Sequence, residues 1–285
     1  MFISINGASI FIRKNFRKAT PRKTTIFFLH GFSGSSNDWE EIFSLFGKTY
    51  QLVAIDLPGF GKSDKPKKNQ FYQTEFLVQL ITIVLNELKL REVVLTGYSM
   101  GGRLALQFAF KHPEKIKALV LESASPGIKT KFERQLRKES DAKLISFIKK
   151  NSLKDFFSLW QNQPLFASQK NLPAKKQLGI LRTKINANSK IGLINSLSNF
   201  GQGEMSNLWH NLPEIFLPTL LLSGKLDTKY TTIQDEMKNL LPNSRHKKVA
   251  GAGHNLHLEK PQDFVNLVRD FLLTLNCEHT KTDSQ

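Results

Sequence analysis

The chain of 285 residues holds a single cysteine, Cys277. One thiol near a polar end cannot staple a fold, so a disulfide scaffold is excluded. Long apolar runs are missing too: none approaches the roughly 18 residues that cross a bilayer. The opening stretch 1–18 has no basic segment leading into an apolar run and a small-residue cleavage site, so it does not read as a secretory signal. These absences lead to the expectation of a cytoplasmic protein with no membrane span. Acidic residues are scarce as well, 24 against 41 Lys and Arg, for a net charge of +17. The surplus is mostly lysine, scattered, without a long basic block or a nucleic-acid-binding motif. Compositional bias accounts for it better than polyanion binding, and no nucleic-acid partner is expected. At 40% hydrophobic and 23% charged residues the chain is too apolar for global disorder and long enough for a sizeable core.

The pattern along the chain alternates. Phe2–Ile5, Asn6-Gly7 and Ala8–Ile12 read as a hairpin. Thr25–Leu29, Leu52–Asp56, Glu92–Thr96 and Ile116–Glu122 are short apolar runs suited to strands buried on both faces. Between them, 36–46, Thr74–Leu88 and Gly102–Lys111 have helical spacing, the last stopped by His112-Pro113. This alternation predicts a parallel sheet with helices on both faces. After Pro126-Gly127 the rhythm breaks, and 128–212 reads as polar and helical, without a strand. It resumes at Pro218–Gly224, continues through Arg245–Val249 and ends in a helix over Pro261–Leu275, with 278–285 as a frayed tail. An insertion late in such a sheet sits over the carboxyl ends of the strands, where open α/β sheets bind ligands.

The sharpest chemical signal is Gly97-Tyr98-Ser99-Met100-Gly101, between a strand and a helix. In that context G-x-S-x-G is a nucleophile elbow, whose glycines permit a sharp turn that exposes the serine. Serine needs a histidine held by a carboxylate. His254, after Gly251-Ala252-Gly253, follows the last strand, and Asp227 follows the strand before it, in the chain order Ser, acid, His. His257 and His30 remain alternatives for the base, while Asp235 and Glu236 read as surface. The backbone N–H groups of Phe32, after His30-Gly31, and of Met100 are the candidate oxyanion donors. Arg103 lies one helical turn beyond Ser99, and Arg134 and Arg137 share a helix face by i,i+3 spacing.

The triad order, the His-Gly loop and Asp56-Leu-Pro-Gly-Phe-Gly-Lys-Ser63 resemble the α/β-hydrolase family over about residues 1–127 and 213–275. The resemblance implies an α/β-hydrolase fold: a mostly parallel sheet flanked by helices, with a core from 1–127 and 213–285 and a helical lid over 128–212. Serine at position 99 sets the chain apart from dehalogenase-like and epoxide-hydrolase-like members. Within the family, several stretches are similar to one branch, the 2-succinyl-6-hydroxy-2,4-cyclohexadiene-1-carboxylate synthases of menaquinone or phylloquinone biosynthesis. They are Gly97–Leu106, Glu122–Gly127, Glu133–Asp141, Trp160 with Pro164-Leu165-Phe166, Leu181-Arg182, Gly201–Trp209, Asp227–Tyr230 and Ala252–Glu259. This implies a lyase that eliminates pyruvate from a small polycarboxylate. Ser99, His254 and Asp227 would then be catalytic. Arg103, Arg137 and Arg182 would bind carboxylates, with Arg134 in a lesser part, and Tyr98 and Trp160 would shape the pocket. No metal or organic cofactor is implied, and monomer and homodimer stay open. One departure stands out: Leu197-Ser198-Asn199-Phe200-Gly201 lacks the arginine often found in that segment. A serine hydrolase (carboxylesterase, thioesterase or C–C bond hydrolase) is the competing reading, and a non-catalytic ligand-binding member is a more distant one.

Overall fold

The computed structural model describes residues 1–282, and side chains through Leu275. The side chain of Cys277 and the last residues of the expected tail fall outside that range. Eight strands form one sheet: β1 (Phe2–Ile5), β2 (Ala8–Lys14), β3 (Thr25–Leu29), β4 (Gln51–Ile55), β5 (Val93–Tyr98), β6 (Ile116–Glu122), β7 (Thr219–Gly224) and β8 (Ser244–Val249). Their order is β1-β2-β4-β3-β5-β6-β7-β8. The first two pairings, β1 with β2 and β2 with β4, are antiparallel, and the rest are parallel. The hairpin turns at Asn6 and Gly7, both with positive φ (51° and 83°), which an Asn-Gly pair adopts at little cost.

The helices of the sheet layers are α1 (Glu40–Phe46), α2 (Thr74–Glu87), α3 (Met100–Lys111), α8 (Thr228–Leu240), α9 (Leu256–Glu259) and α10 (Pro261–Thr282). Strand alternation assigns the faces. In β3, Phe27 and Leu29 join the core under α2 and α3, while Ile26 and Phe28 join the core under α1 and α10. All four are fully buried, each worth roughly 1.5–3 kcal/mol of hydrophobic burial. Burial on both faces is why the central strands read as continuous apolar runs in the sequence.

Four helices stand between β6 and β7: α4 (Lys131–Lys150), α5 (Leu153–Gln161), α6 (Ala174–Ala187) and α7 (Lys190–Phe200), with a 3₁₀ stretch over Pro164–Asn171. Thr130 and Ser152 start α4 and α5 with capping boxes closed by Glu133 and Asp155. α4 packs on α7 and α5 on α6. α6 buries none of its own residues fully, so its place depends on what its ends hold. No helix among the described residues is long and apolar enough to cross a membrane.

Candidate active site

Ser99 sits between β5 and α3 with φ 49° and ψ −107°, a backbone region that a non-glycine residue enters only under constraint. The constraint is steric. A Cβ on Gly97 would lie 2.4 Å from the Gly101 carbonyl oxygen, and one on Gly101 would lie 2.2 Å from that of Leu29. Only glycine lets strand, elbow and helix approach this closely. The Ser99 N–H bonds to the Glu122 carbonyl at 2.9 Å, pinning the elbow to the end of β6.

His254 comes to the elbow from the loop after β8. Its Nε2 is 3.0 Å from Ser99 Oγ, and its Nδ1 is 2.6 Å from Asp227 Oδ2. Asp227 is the N-cap of α8, where Oδ1 accepts the Tyr230 N–H at 3.2 Å. One carboxylate oxygen thus caps the helix while the other orients the imidazole, so the cap fixes the carboxylate for its partner. Asp227 and His254 are both buried. The sequence placed these three groups at strand ends, and the fold brings them into hydrogen-bonded line.

The alternative histidines serve elsewhere. His30 Nε2 accepts the Leu57 N–H at 3.0 Å and its Nδ1 meets the Gly31 carbonyl at 2.8 Å. It is fully buried, and burial holds its pKa below the usual imidazole value. His257 Nδ1 lies 2.8 Å from Glu122 Oε2, both side chains wholly buried, with the ring stacked on Trp39 at 4.1 Å. Asp235 bonds His246 and Lys248 at the surface, as expected of it.

A cavity of about 800 Å³ opens above the elbow between the sheet edge and the inserted helices. Phe32, Tyr98, Met100, Arg103, Arg137 and Trp160 all line it. Met100 begins α3, and its N–H is among the donors a helix leaves without an intrahelical partner. Phe32 belongs to the turn after β3, its ring edge-on to Trp160 at 5.2 Å. Trp160 Nε1 is buried and without a hydrogen-bond partner, an arrangement that costs free energy until a ligand accepts from it. Burial raises the Tyr98 hydroxyl pKa well above the usual phenol value, so it remains a neutral donor and acceptor.

The arginines divide into two pairs. Arg103 is buried, and its Nη1 donates to the Phe200 carbonyl at 3.2 Å and to Met205 Sδ at 2.9 Å, while its guanidinium lies 5.4 Å from the Phe200 ring centroid. Phe200 ends α7, so the cation stands at the negative end of that helix. Burial pushes the Arg103 pKa down to about 10, which leaves it charged at neutral pH. Arg137 Nε meets Asp141 Oδ1 at 2.9 Å and its Nη1 bonds Gln202. Asp141 is itself buried, and its pKa is raised chiefly by that burial. Arg134 and Arg182 do not line the cavity. Arg134 donates to the carbonyls of Gly203 at 2.6 Å and Glu204 at 2.9 Å, and Arg182 is exposed on α6. Of the four arginines expected to bind carboxylates, the structure thus places Arg103 and Arg137 on the cavity wall and Arg134 and Arg182 away from it. The i,i+3 pair separates because Arg137 turns to the buried Asp141 while Arg134 ties down the 203–204 turn.

Tyr230 and Gln202 were not picked out from the sequence as site residues. The Tyr230 ring lies 4.6 Å from that of His254, and Gln202 Nε2 donates to the Tyr230 hydroxyl at 3.2 Å and to Ser125 Oγ at 3.1 Å. Tyr230 could have been found from its place three residues after Asp227, one turn into the capped helix. The departure at Ser198-Asn199 leaves the cavity wall intact. Ser198 is exposed, Asn199 bonds the carbonyl of Asn195 at 2.8 Å, and α7 instead presents Ser196, Leu197 and Phe200 to the cavity.

The chain as a whole is similar to known proteins in sequence and fold. A putative 2-succinyl-6-hydroxy-2,4-cyclohexadiene-1-carboxylate synthase of Bacillus subtilis is 41% identical over 247 residues, 87% of this chain and 89% of that protein. The synthase of that name from Klebsiella pneumoniae is 29% identical, over 86% of this chain and 92% of its own. The solved structure of MenH from S. aureus superposes with a TM-score of 0.87 at 32% identity, covering 92% of this chain and 98% of that one. An esterase from Exiguobacterium antarcticum, at 24% identity and a TM-score of 0.80, shares the fold. Residues 24–261 match the family described as alpha/beta hydrolase fold, and the chain belongs to that family.

Proposed function

We propose that this protein is a 2-succinyl-6-hydroxy-2,4-cyclohexadiene-1-carboxylate synthase. It is a lyase that eliminates pyruvate from 2-succinyl-5-enolpyruvyl-6-hydroxy-3-cyclohexene-1-carboxylate in menaquinone or phylloquinone biosynthesis. The observation that carries the reading is the pairing of a hydrogen-bonded Ser99–His254–Asp227 line with two arginines, Arg103 and Arg137, on the wall of one cavity. A neutral ester needs the first but has no use for the buried guanidinium of Arg103 beside the half-buried one of Arg137, since desolvating such a charge is costly and the group suits carboxylates. The 41% identical relative of the same name supports it.

In the reaction, Ser99 Oγ gives its proton to His254 Nε2 and takes the ring proton next to the succinyl ketone. Asp227 holds the imidazole and stabilises its charge. The electron pair moves onto the ketone oxygen, where the Phe32 and Met100 N–H groups hold the enolate. The pair then returns through the ring, the double bond shifts, and the C–O bond to the enolpyruvyl group breaks. The leaving enolpyruvate takes the proton held by His254, becoming pyruvate and restoring the neutral imidazole, and the ring gains its second double bond. Arg103 and Arg137 bind carboxylates, and Tyr98 and Trp160 offer hydrogen bonds. Helices α4–α7, over 128–212, act as the cap.

Pyruvate release, followed by coupled reduction, tests this. Ser99→Ala should lose on the order of a thousandfold or more in rate. Retained pyruvate release in that variant would mean Ser99 is not the base. A wild-type protein that hydrolyses p-nitrophenyl esters but releases no pyruvate would be a hydrolase.

A further inference from the structure

The loop that presents Phe32 is held in a strained shape from the far side by the end of a cap helix. Gly31–Gly34 is a tight turn, closed by the Gly34 N–H on the Gly31 carbonyl at 3.0 Å. The Gly31 carbonyl and the Phe32 N–H belong to one planar peptide and point in opposite directions. Whatever fixes that turn therefore aims the Phe32 N–H. The third residue of the turn, Ser33, has φ +63°, a value glycine adopts freely and serine does not. Such a residue persists only where its surroundings impose the conformation, at a cost of order 1–3 kcal/mol.

Two side chains at the C-terminal end of α6 impose it. Asn188, buried at 7% exposure, donates Nδ2 to the Ser33 carbonyl at 3.0 Å and to the Lys184 carbonyl at 2.8 Å. It thereby closes the last turn of its own helix and grips the loop with the same amide. Lys184, one turn earlier and half-buried, donates Nζ to Ser33 Oγ at 3.2 Å. Asn188 is also bridged to Phe60, and Gly192 lies against Gly59 so closely that a Cβ would be 2.0 Å from the Gly59 oxygen. The end of α6 is thus fastened to the sheet domain at Ser33, while the body of the helix is not buried. Neither Lys184 nor Asn188 lines the cavity.

We propose that Asn188 and Lys184 are positioning residues for the oxyanion loop: they hold Ser33 in its left-handed conformation and so aim the Phe32 N–H at the developing enolate. The proposal rests on Phe32 being an oxyanion donor, as in the mechanism above. Without the grip, Ser33 relaxes toward negative φ and the adjoining peptides rotate. The loss falls on the transition state, which needs that donor, more than on substrate binding by Arg103 and Arg137.

The test uses the full chain and two reactions. The first is pyruvate release. The second is phosphonylation by the neutral ester p-nitrophenyl ethyl methylphosphonate, in which Ser99 Oγ bonds phosphorus, p-nitrophenolate leaves and the phosphoryl oxygen occupies the oxyanion site. Complete removal of an oxyanion donor costs about 10²–10³ in kcat. Asn188→Ala, which misdirects rather than removes it, should cost roughly 10- to 100-fold in kcat and in phosphonylation rate, with KM changed by less than about threefold. Ser33→Gly in the Asn188→Ala background should recover most of that loss, because glycine holds positive φ unaided. Rates within about twofold of wild type for Asn188→Ala, or no recovery with Ser33→Gly, would overturn the proposal. If Asn188→Ala fails to fold by circular dichroism, Lys184→Met and its Ser33→Gly double variant are judged by the same criteria. Wild-type protein that is phosphonylated but releases no pyruvate would sink the lyase reading alone, leaving the phosphonylation rates to decide this one.

Discussion

Arg103→Met separates a substrate-binding guanidinium from a structural one. Methionine fills much of the same buried volume without charge. The native guanidinium makes one hydrogen bond to a neutral carbonyl, at Phe200, and one to a thioether, at Met205. Among the described residues no carboxylate bonds to it directly. Deleting it therefore removes one charge-assisted bond worth about 1.5–3 kcal/mol, a weaker one to sulfur and the contact with the Phe200 ring, and it relieves the desolvation that lowers the Arg103 pKa to about 10. These terms oppose each other, so the melting temperature should move by only a few degrees. A carboxylate of the substrate bound to that guanidinium is another matter. A charge-assisted bond is worth about 1.5–3 kcal/mol, which is roughly a 10- to 150-fold loss of kcat/KM at 1.36 kcal/mol per factor of ten. The assay compares pyruvate release with hydrolysis of p-nitrophenyl acetate in the same preparation. The anionic substrate should lose the full factor and the neutral ester less than about threefold. Equal loss on both would make Arg103 a structural residue and remove half of the case for a carboxylate pocket.

Three further outcomes follow from the geometry. Arg134→Met and Arg182→Met should leave kcat/KM for pyruvate release within about threefold of wild type, whereas Arg137→Met should reduce it by about tenfold or more; steady-state kinetics of the three decides. Stability should fall in acid through His30. Its folded pKa lies below the unfolded value of 6.5, so the unfolded chain binds the extra proton. The stabilisation is complete above that pH and is lost as pH drops below it. Melting curves between pH 7.5 and 5 should slope downward toward acid, and His30→Gln should flatten the slope; an unchanged slope would remove His30 as its source. Activity toward the anionic substrate should decline as pH rises toward about 10, where Arg103 loses its proton, and Arg103→Met should lack that limb.

The sheet could be read from the sequence because its central strands are buried on both faces and its flanking helices carry one apolar stripe each. The elbow could be read because glycine at 97 and 101 is a steric necessity that leaves a fixed spacing. Asp227 and His254 followed from their places at strand ends. What could not be read was rotation about a helix with no buried stripe. α6 buries none of its residues fully, so nothing in its sequence says whether Arg182 or Lys184 turns toward the sheet domain, and it is Lys184 that does. α4 is mostly polar in the same way, and the partition of Arg134 from Arg137 depends on Asp141, Gln202 and Gly203, which lie apart in sequence or carry no signal of their own. Tyr230 and Gln202 meet only after the chain has crossed from the inserted helices back to the sheet.

The outermost strand gives the lysine surplus a use unrelated to any ligand. β8 pairs with β7 on one side, and its other backbone edge continues the sheet toward solvent. Such an edge is a template for another chain, and lysine along it is a common safeguard. Here Arg245, Lys247 and Lys248 are all exposed along a six-residue strand. A second copy pairing by this same strand to extend the ladder would bring Lys247 and its neighbours against like charge. Positive charge along this border of the sheet therefore opposes a second copy that would extend the ladder.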